Sequence, residues 1–208
     1  MSAGASAEAW AAEAERLRWW QYFAAAVGVE TAGMARGRRL AARRRTGAKG
    51  ERMTAKLLVP LSGEGWHVLP DRALPGSKAN VDHLLVGPDG RAYTLDSKLW
   101  SARDAHRRPM TVHVVRGRLT HGDRDKDRQV EAALQETRMV SRALGVPVTP
   151  LIVMHNAPVV DGGFQIRGVS VFPAARLVEL LRHNTGRPNP REARRLAELA
   201  AVRLPPYV

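Results

Sequence analysis

The chain contains no cysteine, which excludes a disulfide framework, a thiolate metal site and a catalytic thiol. It also has no window of ~18 or more uncharged apolar residues, the minimum for a membrane-spanning helix. The opening stretch, MSAGASAEAWAAEAERLRWW, carries acids where a secretory signal needs a basic start and an unbroken apolar centre. A soluble, cytoplasmic protein is expected. No G-x-S-x-G elbow supports Ser-His-Asp chemistry. GAKGE lacks the length and the terminal Lys-Ser/Thr of a phosphate-cradling loop, so ATP hydrolysis is not expected. His67, His83, His106, His113, His121, His155 and His183 are scattered, and no pair has zinc spacing.

Acids are in deficit: 20 Asp+Glu stand against 33 Lys+Arg, a formal charge of +13. Such an excess calls for a polyanionic partner, nucleic acid first and an acidic membrane surface second. At 208 residues the chain can bury one sizeable core plus appendages.

Three segments follow from the pattern. In residues 1–46, Trp10, Ala14, Leu17, Ala24 and Val27 recur at helical spacing, and Trp19, Trp20, Tyr22 and Phe23 add aromatic density. This helix packs on its own domain, docks a protein partner or second copy, or lies at a membrane surface. The run RGRRLAARRR then places Arg36, Arg38, Arg39, Arg43, Arg44 and Arg45 where they contact phosphates or form a solvated linker.

Residues 47–185 read as the main domain. GAKGERMTAKLLVPL is an amphipathic helix with Met53, Leu57, Leu58 and Leu61 inward, and WHVLPDRAL is a strand interrupted by proline. NVDHLLVGP and RAYTLDSKL form a hairpin about GPDG. TVHVV and RLTH flank Gly117; the Asp residues of GDRDKD cap a long amphipathic helix that ends at Gly145. VTPLIVMHNA is a central strand buried on both faces, FQIRGVSVF a further strand, and PAARLVELLRH a helix. Residues 186–208 supply a last helix with proline at its entry. The core order is α-β-β-β-α-β, an α/β fold with extra helices at both ends.

The chemistry gathers on AYTLDSKLWS. Side chains alternate along a strand, so Asp96 and Lys98 leave one face, opposite Tyr93, Leu95, Ser97 and Leu99. The pair is either a plain surface ion pair or half of a metal-dependent site. Asp82, on the neighbouring strand, would join them. Two carboxylates plus the Ser97 backbone carbonyl suit Mg²⁺, and a hard cation is what phosphodiester cleavage requires. Lys98 can hold the attacking water, help deprotonate it or stabilise negative charge. Glu51 can add a third carboxylate, directly or through a metal-bound water, and Gln129 can bind a phosphate or orient Lys98. Trp100 can stack on a base or close the sheet edge, and Arg103, Arg107 and Arg108 follow as phosphate contacts.

GAKGE opening a helix, then VDHLLVGPDG, YTLDSK and RQVEAAL in that order, resembles the nuclease-related domain family of the PD-(D/E)XK nuclease superfamily over about residues 47–157. The resemblance implies a restriction-endonuclease-like αβββαβ core with a central mixed sheet flanked by helices. It also implies Mg²⁺ dependence, with Mn²⁺ as substitute, and DNA as substrate, RNA remaining open. Glu51 looks like the family's helix acid, Asp82 the first metal ligand, Asp96 the second acid, Lys98 the lysine and Gln129 the later glutamine. Asp96 departs from the Glu more usual there, which shortens the reach by one methylene. The expectation is a metal-dependent DNA nuclease, endo- or exonucleolytic; the other reading is a catalytically silent nucleic-acid-binding or assembly module on the same fold.

Overall fold

The computed structural model describes residues 32–207, with side chains from residue 45 onward. The expected aromatic helix lies outside the described residues. Helix α1 (Ala32–Leu58) carries the arginine run on its backbone, but the side chains of Arg36, Arg38, Arg39, Arg43 and Arg44 are outside those described. The chain divides into two compact units at Thr46 and Gly47, and the remaining elements all belong to the second.

Within that unit Thr54, Leu58 and Leu61 form the buried stripe of α1 and of the 3-10 turn Val59–Glu64 after it. They are spaced four and three apart, one helix face. Met53, expected inward, stands about 100° around the helix from Thr54 and is 37% exposed.

The main sheet has six strands in the order β1-β2-β3-β7-β9-β8. Strands β1 (His67–Ala73), β2 (Asn80–Val86) and β3 (Ala92–Leu99) are antiparallel neighbours. Strand β7 (Val148–His155) runs parallel to β3, and β9 (Val169–Pro173) parallel to β7. Pro70 is accommodated because β1 is an edge strand, where a missing N–H can face away from the ladder. The β2–β3 hairpin turns at Gly87–Gly90, where Gly90 has φ 81° and the Gly87 N–H donates to the Arg91 carbonyl at 2.8 Å.

FQIRGVSVF is not one strand but two. Arg167 and Gly168 take φ of 51° and 83°, the consecutive positive pair of a tight hairpin turn, and fold β8 (Phe164–Ile166) back on β9. Arg116 and Gly117 repeat the device between β4 (Val112–Val115) and β5 (Arg118–His121), which with β6 (Arg124–Asp125) make a separate three-stranded sheet.

Helix α2 (Asp127–Leu144) ends at Gly145, as the pattern predicts, with φ 71°. Its start is secured differently from a simple cap. Lys126 holds the cap position and makes no side-chain bond there, while the Asp125 carboxylate accepts the Asp127 N–H at 2.8 Å. Asp127 is itself buried, accepting the Leu119 N–H and pairing with Arg167 at 2.6 Å. Helix α3 (Leu177–His183) follows a 3-10 turn. Helix α4 (Pro190–Arg203) has proline in its first turn and Asn189 as its cap, accepting the Glu192 N–H at 3.3 Å.

Leu84, Val86 and Ala92 pack with α2 and α4 through Val140, Leu196 and Ala200 on one sheet face. Leu85, Tyr93, Leu95 and Val153 pack with the end of α1 and with α3 on the other. Each fully buried leucine contributes about 1.5–3 kcal/mol, so the C-terminal helix is part of the core. The order α1-β1-β2-β3-α2-β7 is the expected α-β-β-β-α-β, with the small sheet inserted before α2. Among the described residues no helix is long and apolar enough to cross a membrane.

Candidate functional site

Strands β2 and β3 pair through His83 opposite Leu95, and this is the last paired position toward the end of β3. One residue beyond it, the Asp82 carboxylate takes the place of a backbone partner: its Oδ2 accepts the Ser97 N–H at 2.9 Å. Alternation then sets Asp82 and Asp96 on the same face as Leu84 and Thr94. That is the α2 face, since Thr94 and Thr137 are hydrogen-bonded at 2.5 Å. Lys98 joins them, its Nζ 2.5 Å from Asp96 Oδ1. With side chains only 22% and 13% exposed, Lys98 and Asp96 are not a surface ion pair.

The electrostatics of this face are unbalanced. Burial pushes the Asp82 carboxyl up to about 8, with the Asp96 charge adding to it and the Ser97 N–H and Lys98 opposing. Glu136, on α2, is raised to about 7 by burial and then by Asp96. Glu51 is raised by burial, then by Asp71 and Asp96. Burial acts to lower Lys98, but Asp96, Asp82 and Glu136 together lift it above the ordinary lysine value. Lys98 is therefore an ammonium, with three donors and no acceptor.

The opposite face of the same residues is neutral. Ser97 Oγ donates to Thr54 Oγ1 at 2.8 Å, and Thr54 meets His155 Nε2 at 2.7 Å. All three are buried. Gly50 brings α1 down onto this strand: a Cβ there would stand 3.4 Å from the Leu99 Cβ and 3.7 Å from the Ser97 carbonyl oxygen. A side chain longer than a methyl would lift the helix, and Glu51 with it.

The structure thus brings together Asp82, Asp96 and Lys98, with Glu51 near enough for its charge to bear on them. Gln129 is not part of this group. It is half-buried on α2, two turns or ~10 Å from Glu136, and its side chain makes no hydrogen bond among the described residues. Glu136 stands in the position where sequence reasoning put Gln129, and the seven-residue spacing that shares a helix face was the available signal. Asp71 was also missed. It carries φ 49° in β1 and accepts from Asn80 Nδ2 at 2.6 Å, and no sequence signal marks it as a neighbour of Glu51.

Arg45 is exposed. Arg103, Arg107 and Arg108 lie exposed on the loop after β3, where Arg108 pairs with Asp104 at 2.7 Å and Arg103 donates to the Arg107 carbonyl. The Trp100 ring lies 5.0 Å from His121, and Lys126 Nζ stands 5.5 Å from its centroid.

The donors around Asp82 and Asp96 are all oxygens, the chemistry of a hard cation. Among the described residues no three or more His, Cys, Asp or Glu side chains converge to hold an ion by themselves. The set fits a cation that takes one or two carboxylates and completes its shell with water and substrate oxygens, as Mg²⁺ does, and fits poorly a dedicated protein cage.

The family model of the nuclease-related domain matches residues 46–155, more than half of the chain. Neither curated proteins nor solved structures give a match.

Proposed function

The chain belongs to the nuclease-related domain family, and on that premise we propose that it is a metal-dependent nuclease hydrolysing phosphodiester bonds of DNA, with Mg²⁺ as cofactor and Mn²⁺ as substitute. One observation carries the reading: Asp82 and Asp96 stand partly buried beside each other on adjacent strands, with an ammonium at their side. A fold does not bury like charges together for stability; such a pair is retained for something that binds it.

Asp82 and Asp96 would hold a divalent cation, with the Ser97 carbonyl and Glu51 as further oxygens. When bound it would supply Lewis-acid chemistry, offsetting charge that builds on the phosphate and lowering the pKa of water. The Ser97 N–H fixes the rotamer of Asp82. Lys98, being protonated, does not take the proton of the water, which passes to bulk solvent. Instead it donates to the attacking oxygen or to a non-bridging phosphate oxygen and stabilises charge as it develops. Arg103, Arg107 and Arg108 hold flanking phosphates, as do Arg36, Arg38, Arg39, Arg43, Arg44 and Arg45 on the arm.

The second reading, a silent nucleic-acid-binding or assembly module, draws on Lys98 already neutralising Asp96. Incubation of supercoiled plasmid and single-stranded DNA with the protein in Mg²⁺ or Mn²⁺ separates the two. Cleavage by the native protein that disappears in Asp96→Ala and Lys98→Ala is expected. Equal, salt-sensitive binding by all three without cleavage would favour the silent module.

A further inference from the structure

Strand β3 leaves the site through Trp100 into loop 101–110 and then into the three-stranded sheet β4-β5-β6. This lobe is firmly rooted. Val112 and Leu119 are fully buried against Val130 and Met154, His121 Nε2 bonds the Ser101 carbonyl at 2.9 Å, and Trp100 packs on His121. Its tip is different. Val114 and Val115 leave opposite faces of β4 and are 39% and 44% exposed, next to Arg116 at the hairpin turn.

The charges of the lobe are sorted as well. Asp104 is used by Arg108, Asp125 by Arg118, and Asp127 by Arg167 with Arg118 behind it. Asp123 is the acid left over. Against it stand Arg103, Arg107, Arg116, Arg124, Lys126 and Arg128, none held in a salt bridge among the described residues. The internal pairs have consumed all of these acids but Asp123 and left a cationic surface that begins five residues after Lys98.

We propose that this lobe is a strand-holding surface, in which the tip of the β4–β5 hairpin sets Arg116, with one valine on each face behind it, against the nucleic-acid strand whose phosphate enters the site, while Arg107, Arg124 and Arg128 take neighbouring phosphates. The identity of the ligand rests on the nuclease reading. Two chemistries are combined: guanidinium groups for the phosphodiester backbone, and an apolar pair for the sugar and base edges between phosphates. A bare polyanion offers only the first. The rigid two-residue turn at Arg116 and Gly117 suits the task, because a pre-formed hairpin loses little entropy on docking.

The test is binding without metal, so that cleavage does not intrude. Fluorescence anisotropy of labelled duplex DNA, single-stranded DNA and heparin is measured across a salt series for the native protein, Arg116→Ser/Arg124→Ser, Val114→Ser/Val115→Ser, and Arg191→Ser on α4 as a control. Thermal melting confirms that each variant is folded. Arg116→Ser/Arg124→Ser is expected to reduce the slope of log K against log salt by roughly 0.9 per lost phosphate contact on duplex, or roughly 0.7 on single strands. These values distinguish the two forms of the strand. Val114→Ser/Val115→Ser is expected to weaken DNA binding several-fold, with the salt slope and heparin binding unchanged. Slopes and affinities for the arginine pair equal to those of the Arg191→Ser control would overturn the proposal. So would a valine effect equal on DNA and heparin. Native protein that binds in this way yet never cleaves would remove the nuclease reading and leave the lobe standing; cleavage with an inert hairpin would do the reverse.

Discussion

The two faces of β3 around Ser97 make opposite use of buried polarity. Toward α1, Ser97, Thr54 and His155 form a neutral chain, satisfied within itself. Toward α2, Asp82, Asp96 and Glu136 crowd one ammonium, and burial, with the Asp96 charge added, lifts two carboxyls to about 8 and about 7. The first arrangement stabilises a fold, because each of the three side chains has a partner in the chain. The second costs the metal-free protein stability, which makes it the face where a ligand is expected. One strand serves both, since a period of two lets neighbouring residues do unrelated work.

The sharpest way to break this contrast is Asp82→Asn. It keeps the shape and an acceptor for the Ser97 N–H but removes the charge. Mg²⁺-dependent cleavage should fall by roughly 10³-fold, while the metal-free variant becomes more stable than the native protein at alkaline pH. Plasmid cleavage and thermal melting on the same preparations check both halves. Loss of stability together with activity would mean that Asp82 serves the fold.

The faces should also titrate with opposite sign. The folded Asp82 and Glu136 carboxyls hold their protons to about 8 and about 7, whereas in the unfolded chain they lose them near the ordinary values of 3.8 and 4.5. Between those limits the folded state binds more protons, so metal-free stability falls as pH rises. His83 on the neutral face is lowered by burial to about 4, and burial lowers His155 as well. Below the ordinary 6.5 the unfolded chain binds more protons than these two do, so their contribution is lost as pH falls. Millimolar Mg²⁺ should raise the melting temperature most at mildly alkaline pH, where Asp82 need not first be stripped of its proton, and hardly at all near pH 5. An Mg²⁺ shift independent of pH would separate metal binding from Asp82.

The neutral face offers a smaller effect. Thr54→Val preserves volume but strands the Ser97 hydroxyl and His155 Nε2, at a cost of about 1–3 kcal/mol; Thr54→Ser should restore most of it. Chemical denaturation reads the difference. A Val variant as stable as the native protein would show that the chain is not integral to the fold.

Much of the acid face was legible. The D-x-K triplet gave the side of β3, and the GPDG hairpin put Asp82 on the next strand, because strand periodicity and a short turn fix register almost alone. Thr54 was hidden for the converse reason: a lone hydroxyl in an amphipathic helix reads as exposed, and Met53 was taken for the inward residue. FQIRGVSVF passed as one strand because its apolar alternation runs across the turn; the Arg-Gly pair was the mark of the break. What no pattern supplied was the offset of α2 along β3. Helical spacing says that Gln129 and Glu136 share a face, but packing of Thr137 on Thr94 decides which of them comes level with Asp96.

That offset yields the last and smallest prediction. Glu136 adds negative charge behind Asp96 and Lys98 without joining Asp82 and Asp96 on the strands, so it helps to keep Lys98 protonated. Glu136→Gln keeps size and hydrogen-bonding capacity and removes that support. Cleavage should fall only several-fold, and its alkaline limit should move to lower pH as the lysine becomes easier to deprotonate. Gln129→Ala, two turns away, should weaken substrate binding and leave the pH profile alone. A full pH–rate profile of both variants distinguishes them: if Glu136→Gln is as damaging as Asp96→Ala, the carboxylate at 136 is itself a ligand, and α2 has to be added to the elements that supply the ligand set.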